Sequence, residues 1–216
     1  MPHQLSLLQD DATTRVAIAD GAVLLRGFAA SDSASLASAL DAITRVSPYR
    51  RMTTPGGFRM SVEMTNCGAL GWISDARGYR YDPIDPETSC PWPELPECFR
   101  TLAREAAASA SFPGFEPDAC LVNRYSPRTR LTLHQDKNER DFAAPIVSVS
   151  LGVPAVFLFG GARRADRPTR VPLAHGDVVV WGGGARLRYH GVMPVADGDH
   201  PFAGRFRINL TFRKAG

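Results

Sequence analysis

Along this chain the spacing of apolar positions changes character near residue 118. Before that point, AVLLRGF at 22–28 is a short apolar run of the kind a buried strand produces. From about Ser31 the pattern shifts to a helix, because Leu36, Leu40 and Ile43 recur at three- and four-residue intervals. A second helix is predicted over 97–109, after Pro96, with Phe99, Leu102 and Ala106 on one side. Both helices are read as supports that cover a sheet.

Between them, residues 50–96 lose regular periodicity. They carry Pro-Gly-Gly at 55–57, several more prolines, and scattered Phe58, Trp72, Tyr79, Tyr81 and Trp92. Loops and short hairpins fit this composition. An irregular stretch this long inside a compact domain is usually functional when it is rich in aromatics and turn residues, so it is read as a lid.

From 118 onward the segments ACLVNRY, LTLH, IVSVSLG, AVFLFGG, DVVVWGG, RLRYHGV and RFRINLTFR alternate with Gly, Pro and Asp, which predicts a sandwich or barrel. The last segment alternates throughout. Phe206, Ile208, Leu210 and Phe212 share one face, and Arg205, Arg207, Asn209, Thr211 and Arg213 the other. A half-exposed strand would give the same pattern.

At 216 residues the chain has the length of one large domain, and its 44% hydrophobic and 22% charged residues are ordinary for a globular fold. No apolar run approaches the ~18 residues that span a bilayer, and the first 14 residues lack a signal-like pattern, so a cytoplasmic location is expected. Cys67, Cys90, Cys98 and Cys120 contain no C-x-x-C pair and are read as reduced and structural. The net charge of +3 decides nothing, but 23 of the 25 basic residues are arginine. Guanidinium grips carboxylates and phosphates with paired hydrogen bonds; genomic base composition alone would also favour arginine.

The chemistry centres on His134-Gln135-Asp136. On an extended strand the first and third of these side chains share a face and can bind one ion. A third ligand is needed. His3 and His200 are expected in solvent, while His175 and His190 both remain open, with His190 the better placed to face His134 across a barrel. Two histidines and a carboxylate suit non-haem Fe(II) and also describe hydrolytic zinc sites. Arg207 and Arg213, if inward, require an anion, because an uncompensated buried charge costs several kcal/mol. They are ~20 Å apart on an ideal strand and would reach opposite ends of a short diacid.

Asn123-x-Tyr125, His134-Gln135-Asp136-Lys137, His190 and Arg207-x-Asn209-Leu-Thr-Phe-Arg213 together closely resemble the bacterial AlkB alkylated-DNA repair dioxygenases. The likeness extends through TPGGF, MTNCGALGW, YRYDPIDP, PDACLVNRY, APIVSVSLG, FGG and HGDVVVWGG, from about Ser47 to Ala215. It implies a mainly β fold with flanking helices: a double-stranded β-helix, or jelly-roll, core with an N-terminal nucleotide-recognition lid. One domain over 1–216 is expected, with 1–49 as N-terminal support, 50–96 as lid, and 97–216 as support helix and catalytic jelly roll.

The resemblance further implies Fe(II) held by His134, Asp136 and His190, with O2 and 2-oxoglutarate as co-substrates. Asn123, Tyr125, Arg207, Asn209 and Arg213 are then placed around 2-oxoglutarate; the strand spacing, rather than the resemblance, assigns Arg207 to its distal carboxylate and Arg213 to the end near the metal. The implied reaction is oxidative removal of N-methyl groups from 1-methyladenine and 3-methylcytosine in single- or double-stranded DNA, and in RNA. Trp72, Tyr79 and Tyr81 are expected to contact the nucleotide, since ring faces attract cationic bases. Arg164, within the basic loop 163–170, is placed at the substrate. At Asn138 the family carries Asp; the amide lacks the charge and can donate as well as accept, which bears on lesion preference. At Phe58 the familiar residue is Tyr. A monomer without membrane association is expected. Two other readings fit parts of the pattern: a related oxygenase acting on protein or a small molecule, and a metal-stabilised barrel that binds nucleic acid without reacting.

Overall fold

The computed structural model describes residues 14–216. His3 and the start of the expected N-terminal support lie outside them. Thirteen strands and two helices follow in the order β1 (Arg15–Ala19), β2 (Ala22–Leu25), α1 (Ser33–Val46), β3 (Glu63–Gly68), β4 (Gly71–Asp75), β5 (Gly78–Asp82), α2 (Glu97–Ser109), β6 (Ala119–Tyr125), β7 (Leu131–His134), β8 (Ile146–Gly152), β9 (Ala155–Phe159), β10 (Thr169–Leu173), β11 (Val178–Trp181), β12 (His190–Val192) and β13 (Arg207–Arg213). A seven-stranded sheet runs β1-β2-β11-β8-β13-β6-β3, a four-stranded sheet runs β10-β9-β12-β7, and β4 and β5 form a separate hairpin. This is a mainly β fold with two helices and a jelly-roll core.

Alternation decides which residues meet which layer. Val178 and Val180 of β11, Val147, Val149 and Leu151 of β8, and Leu210 and Phe212 of β13 pack against the helices through Leu36, Leu40, Ile43, Phe99 and Leu102. Their neighbours on the other pleat, Val179, Trp181 and Ile146, turn between the sheets and meet Phe157, Phe159, Val171 and Val192 of the smaller one. The two helices therefore cover the outer face of the large sheet, and the inner face is free to line a cavity. Among the described residues no helix is long and apolar enough to cross a membrane.

Several elements differ from the pattern-based expectation. β1 and β10 have no counterpart in it. β3, inside the supposedly irregular stretch, is an edge strand of the large sheet paired with β6; both of its faces are covered, so it shows no alternation. RLRY is not a strand, because Arg186 turns inward to a buried carboxylate and only His190–Val192 pairs. The last strand begins at Arg207. Arg205 lies outside it, exposed and paired with Asp197 at 3.0 Å. His200 is half-buried, its ring stacked on His175 at 4.5 Å between centroids.

Candidate metal centre and nucleotide pocket

His134 ends β7 and His190 opens β12, and the two residues are directly opposed in the antiparallel register. That pairing sets their rings 4.4 Å apart. Gly191 permits it: a Cβ there would stand 2.6 Å from the Leu131 carbonyl oxygen. Asp136, just beyond β7, closes the group, with Oδ1 3.6 Å from His134 Nε2 and Oδ2 3.7 Å from His190 Nε2. One ligand atom from each residue lies within 4.8 Å of the others.

The outer ring nitrogens fix the tautomer. His134 Nδ1 lies 2.9 Å from the Thr132 carbonyl and His190 Nδ1 3.0 Å from that of Arg188, so each Nδ1–H donates and each Nε2 keeps its lone pair for the shared point. Burial and the neighbouring His190 hold the His134 pKa down at about 4, leaving the ring neutral at pH 7. Burial pushes the Asp136 carboxyl upward, but Arg213 and the two histidines outweigh it and keep the group ionised. Neutral imidazole and ionised carboxylate are the forms that bind a divalent ion.

His175 takes no part. Its Nδ1 accepts the Gly152 N–H at 3.0 Å and its Nε2 meets Ser33 Oγ at 2.8 Å, so both nitrogens are used in joining the end of β8 to the start of α1.

A cavity of about 570 Å³ opens from this centre and is lined by Asn123, Tyr125, Arg207, Asn209 and Arg213 on its inner wall. These residues come together through register: Arg207 pairs with Tyr125 and Asn209 with Asn123 across β13 and β6. The half-exposed alternative for β13 is excluded, since Arg207 is 1% and Arg213 5% exposed. Arg213 is neutralised by Asp136 Oδ2, 2.6 Å from its NH2 and 3.0 Å from its Nε. Arg207 is not. Its NH2 reaches Ser150 Oγ at 3.0 Å and its guanidinium lies over the Tyr125 ring at 4.9 Å, yet Nε and NH1 have no partner. A buried cation with two unmet donors, on the wall of a cavity, fits the carboxylate of a small acid.

Trp72, Tyr79, Asn138 and Arg164 line the same cavity toward its mouth. Trp72 and Tyr79 stack at 5.6 Å with ring planes 14° apart. Asn138 Oδ1 accepts from Trp72 Nε1 at 3.2 Å, and its Nδ2 donates to the Tyr79 carbonyl at 3.4 Å. Tyr81 is placed elsewhere: its hydroxyl points beneath the hairpin and donates to Glu139 Oε1 at 2.7 Å. Phe58 is 77% exposed at the tip of its turn.

Sequence reasoning missed Glu139 and Arg186, a buried ion pair at 3.1 Å beside the centre, and Trp181, whose ring lies 4.9 Å from that of His190. Only the position of Glu139, three residues beyond Asp136, hinted at it. No spacing rule pointed to Arg186.

Residues 21–213 match the family model described as the 2OG-Fe(II) oxygenase superfamily. The chain is 56% identical to the alpha-ketoglutarate-dependent dioxygenase AlkB of Salmonella typhimurium, over 98% of each chain, and 53% identical to that of Escherichia coli K12 over the same shares. The solved structure of OsALKBH1 superposes with a TM-score of 0.82 at 30% identity, covering 93% of this chain and all of the other. A pair of opposed histidines with a carboxylate between them, an unmet arginine in the adjoining cavity and identity along nearly the whole length agree: the chain belongs to the AlkB family of Fe(II)- and 2-oxoglutarate-dependent dioxygenases.

Proposed function

We propose that this enzyme oxidatively demethylates N-alkylated bases, 1-methyladenine and 3-methylcytosine, in DNA and RNA, and so repairs alkylation damage. The observation that carries the reading is one cavity that joins the His134-Asp136-His190 centre to Arg207 at one end and to Trp72 and Tyr79 at its mouth. The stacked aromatic pair at that mouth suits a flat cationic base better than a small acid, which disfavours the small-molecule reading. The inert-barrel reading leaves the two unmet donors of Arg207 without a purpose.

His134, Asp136 and His190 would hold Fe(II). When bound, the iron together with 2-oxoglutarate and O2 supplies the oxidising chemistry, releasing succinate and CO2 and hydroxylating the methyl group, which then leaves as formaldehyde. The chain's own residues position the partners. Arg207, assisted by Tyr125, takes the distal carboxylate of 2-oxoglutarate, while Arg213 sits at the metal end. Asn123 and Asn209 complete that wall. Trp72 and Tyr79 offer ring faces to a cationic base, for which stacking is worth ~1–3 kcal/mol. That base must leave its duplex stack or be met in a single strand. Arg164 and Asn138 sit where the extruded nucleotide enters.

The single domain, with its recognition lid within 50–96, acts as a cytoplasmic monomer on this reading. The lid's root is fixed by the buried Arg50–Asp85 pair, to which Ser47 donates at 2.8 Å. The test is formaldehyde and succinate release from a methylated oligonucleotide with iron, ascorbate and 2-oxoglutarate. Turnover should appear in the wild type and vanish in Asp136→Ala. Absence of turnover in the wild type, or its survival in the variant, overturns the reading.

A further inference from the structure

The β4–β5 hairpin is clipped to residues 138 and 139 by three side-chain bonds. Two belong to Asn138, described above; the third runs from Tyr81 to Glu139. Tyr81 is the cross-strand partner of Trp72, so displacement of one ring moves the strand pair that carries the other.

Glu139 does not end the chain of contacts. Oε1, which receives the Tyr81 hydroxyl, also lies 3.4 Å from Arg213 Nε, and Oε2 takes Arg186 NH2 at 3.1 Å. Arg213 in turn holds Asp136 Oδ2, while Arg186 NH1 donates to the Asp136 backbone carbonyl at 2.9 Å. Glu139, Arg186 and Arg213 are each at most 5% exposed. Buried charges of this kind are held by one another, and moving one leaves its partner uncompensated.

The geometry points to Glu139 as a positioning residue that couples the hairpin to the metal and co-substrate centre, with Tyr81 as its arm on the hairpin. As Asp136 gives its oxygen to a metal ion, Arg213 loses part of its counter-charge, and Glu139 is the group that keeps it aimed at the incoming carboxylate. The same carboxylate holds Tyr81 down. Occupation of the co-substrate site therefore firms the hairpin, and occupation of the hairpin tightens the co-substrate site by the same factor, since coupling between two binding sites is reciprocal. This rests on the proposed function only for the identity of the co-substrate.

The experiment uses the full chain with Mn(II) in place of iron, so that nothing turns over. Hydrogen–deuterium exchange is followed in the peptide covering β4 and β5, with and without 2-oxoglutarate, whose binding is measured separately by calorimetry. In the wild type, 2-oxoglutarate should slow hairpin exchange by ~5-fold or more, the low end of ordinary coupling. In Tyr81→Phe the slowing should fall below ~2-fold while 2-oxoglutarate still binds. Glu139→Gln still offers an oxygen to Tyr81 but removes the charge facing Arg213; it should lose the coupling and also weaken 2-oxoglutarate, and it serves as the comparison should Tyr81→Phe fail to fold. A hairpin indifferent to 2-oxoglutarate in the wild type, or slowed equally in the variants, overturns the proposal. Coupling in a wild type that binds no methylated oligonucleotide would leave Glu139 its role and overturn the substrate reading instead.

Discussion

Arg207→Met should make the protein more stable and useless at once. Without co-substrate, the Arg207 guanidinium is buried to 1% exposure with Nε and NH1 unmet, each costing ~1–3 kcal/mol of lost hydration. Against this stand one bond to Ser150, worth ~1 kcal/mol, and the contact with the Tyr125 ring, worth ~1–2 kcal/mol when desolvated. Burial also pulls the Arg207 pKa below its ordinary value, in the direction a poorly compensated cation requires. Methionine fills similar space without polar atoms, so the ligand-free variant should gain ~1–2 kcal/mol, a rise in Tm on the order of 5 °C for a chain of this size. Saturating 2-oxoglutarate reverses the order. At a hundred times its Kd it adds ~2.7 kcal/mol to the wild type and nothing to the variant. The assay is thermal unfolding with Mn(II) held constant, with and without 2-oxoglutarate. A ligand-free variant less stable than wild type, or one that 2-oxoglutarate stabilises equally, refutes the assignment of Arg207 to the distal carboxylate.

Three other perturbations have defined outcomes. Asn138→Asp puts a negative charge at the pocket mouth and removes the donor to the Tyr79 carbonyl, so in competition assays cationic lesions should gain on neutral ones by ~5-fold, about 1 kcal/mol; an unmoved ranking means position 138 does not read charge. Gly191→Ala drives a Cβ into the Leu131–Leu133 backbone and should cost ~1–3 kcal/mol and weaken Mn(II) binding by spreading β7 from β12, whereas normal metal affinity would show that the opposed register does not set the centre. Burial and the adjacent His200 hold the His175 pKa below 6.5, so the unfolded chain takes up a proton first as pH falls below 6.5 and native stability declines there. His175→Gln, which still accepts from Gly152, should flatten the fall in Tm between pH 7 and 5; an unchanged slope refutes that role.

Legibility in the sequence followed the physics of each layer. Helix α2 was predicted at its observed bounds because Phe99, Leu102 and Ala106 face a sheet while the opposite side meets water. Strand β13 was legible as a strand, but alternation alone could not say whether its arginines were wet. That depended on the smaller sheet covering them, and one of its four strands, β10, is a run broken by Arg170 and Pro172. The metal triplet was visible because Asp136 follows His134 at strand spacing, whereas the third ligand emerged only from the resemblance, since the pairing of β12 with β7 joins residues 56 positions apart. Tyr81 was misplaced for a related reason: a tyrosine on a hairpin looks available to a base until the buried acceptor beneath it is known.

That acceptor belongs to a balance of charge that ties the centre together. Around the metal position three buried guanidiniums, Arg186, Arg207 and Arg213, face two carboxylates, the buried Glu139 and the half-buried Asp136, an excess of one positive charge. A divalent cation alone would raise the excess to three, and a dicarboxylate alone would turn it to minus one. Bound together, the two leave it unchanged. In a buried site such imbalances are poorly screened, so each partner should bind more tightly in the presence of the other, beyond what direct ligation supplies. The added part is separable. Glu139→Gln raises the starting excess without touching a metal ligand, and should weaken Mn(II) measured alone more than it weakens 2-oxoglutarate measured alone. Calorimetric titrations of each, separately and together, decide it; equal losses for both would show that charge balance is not what links them.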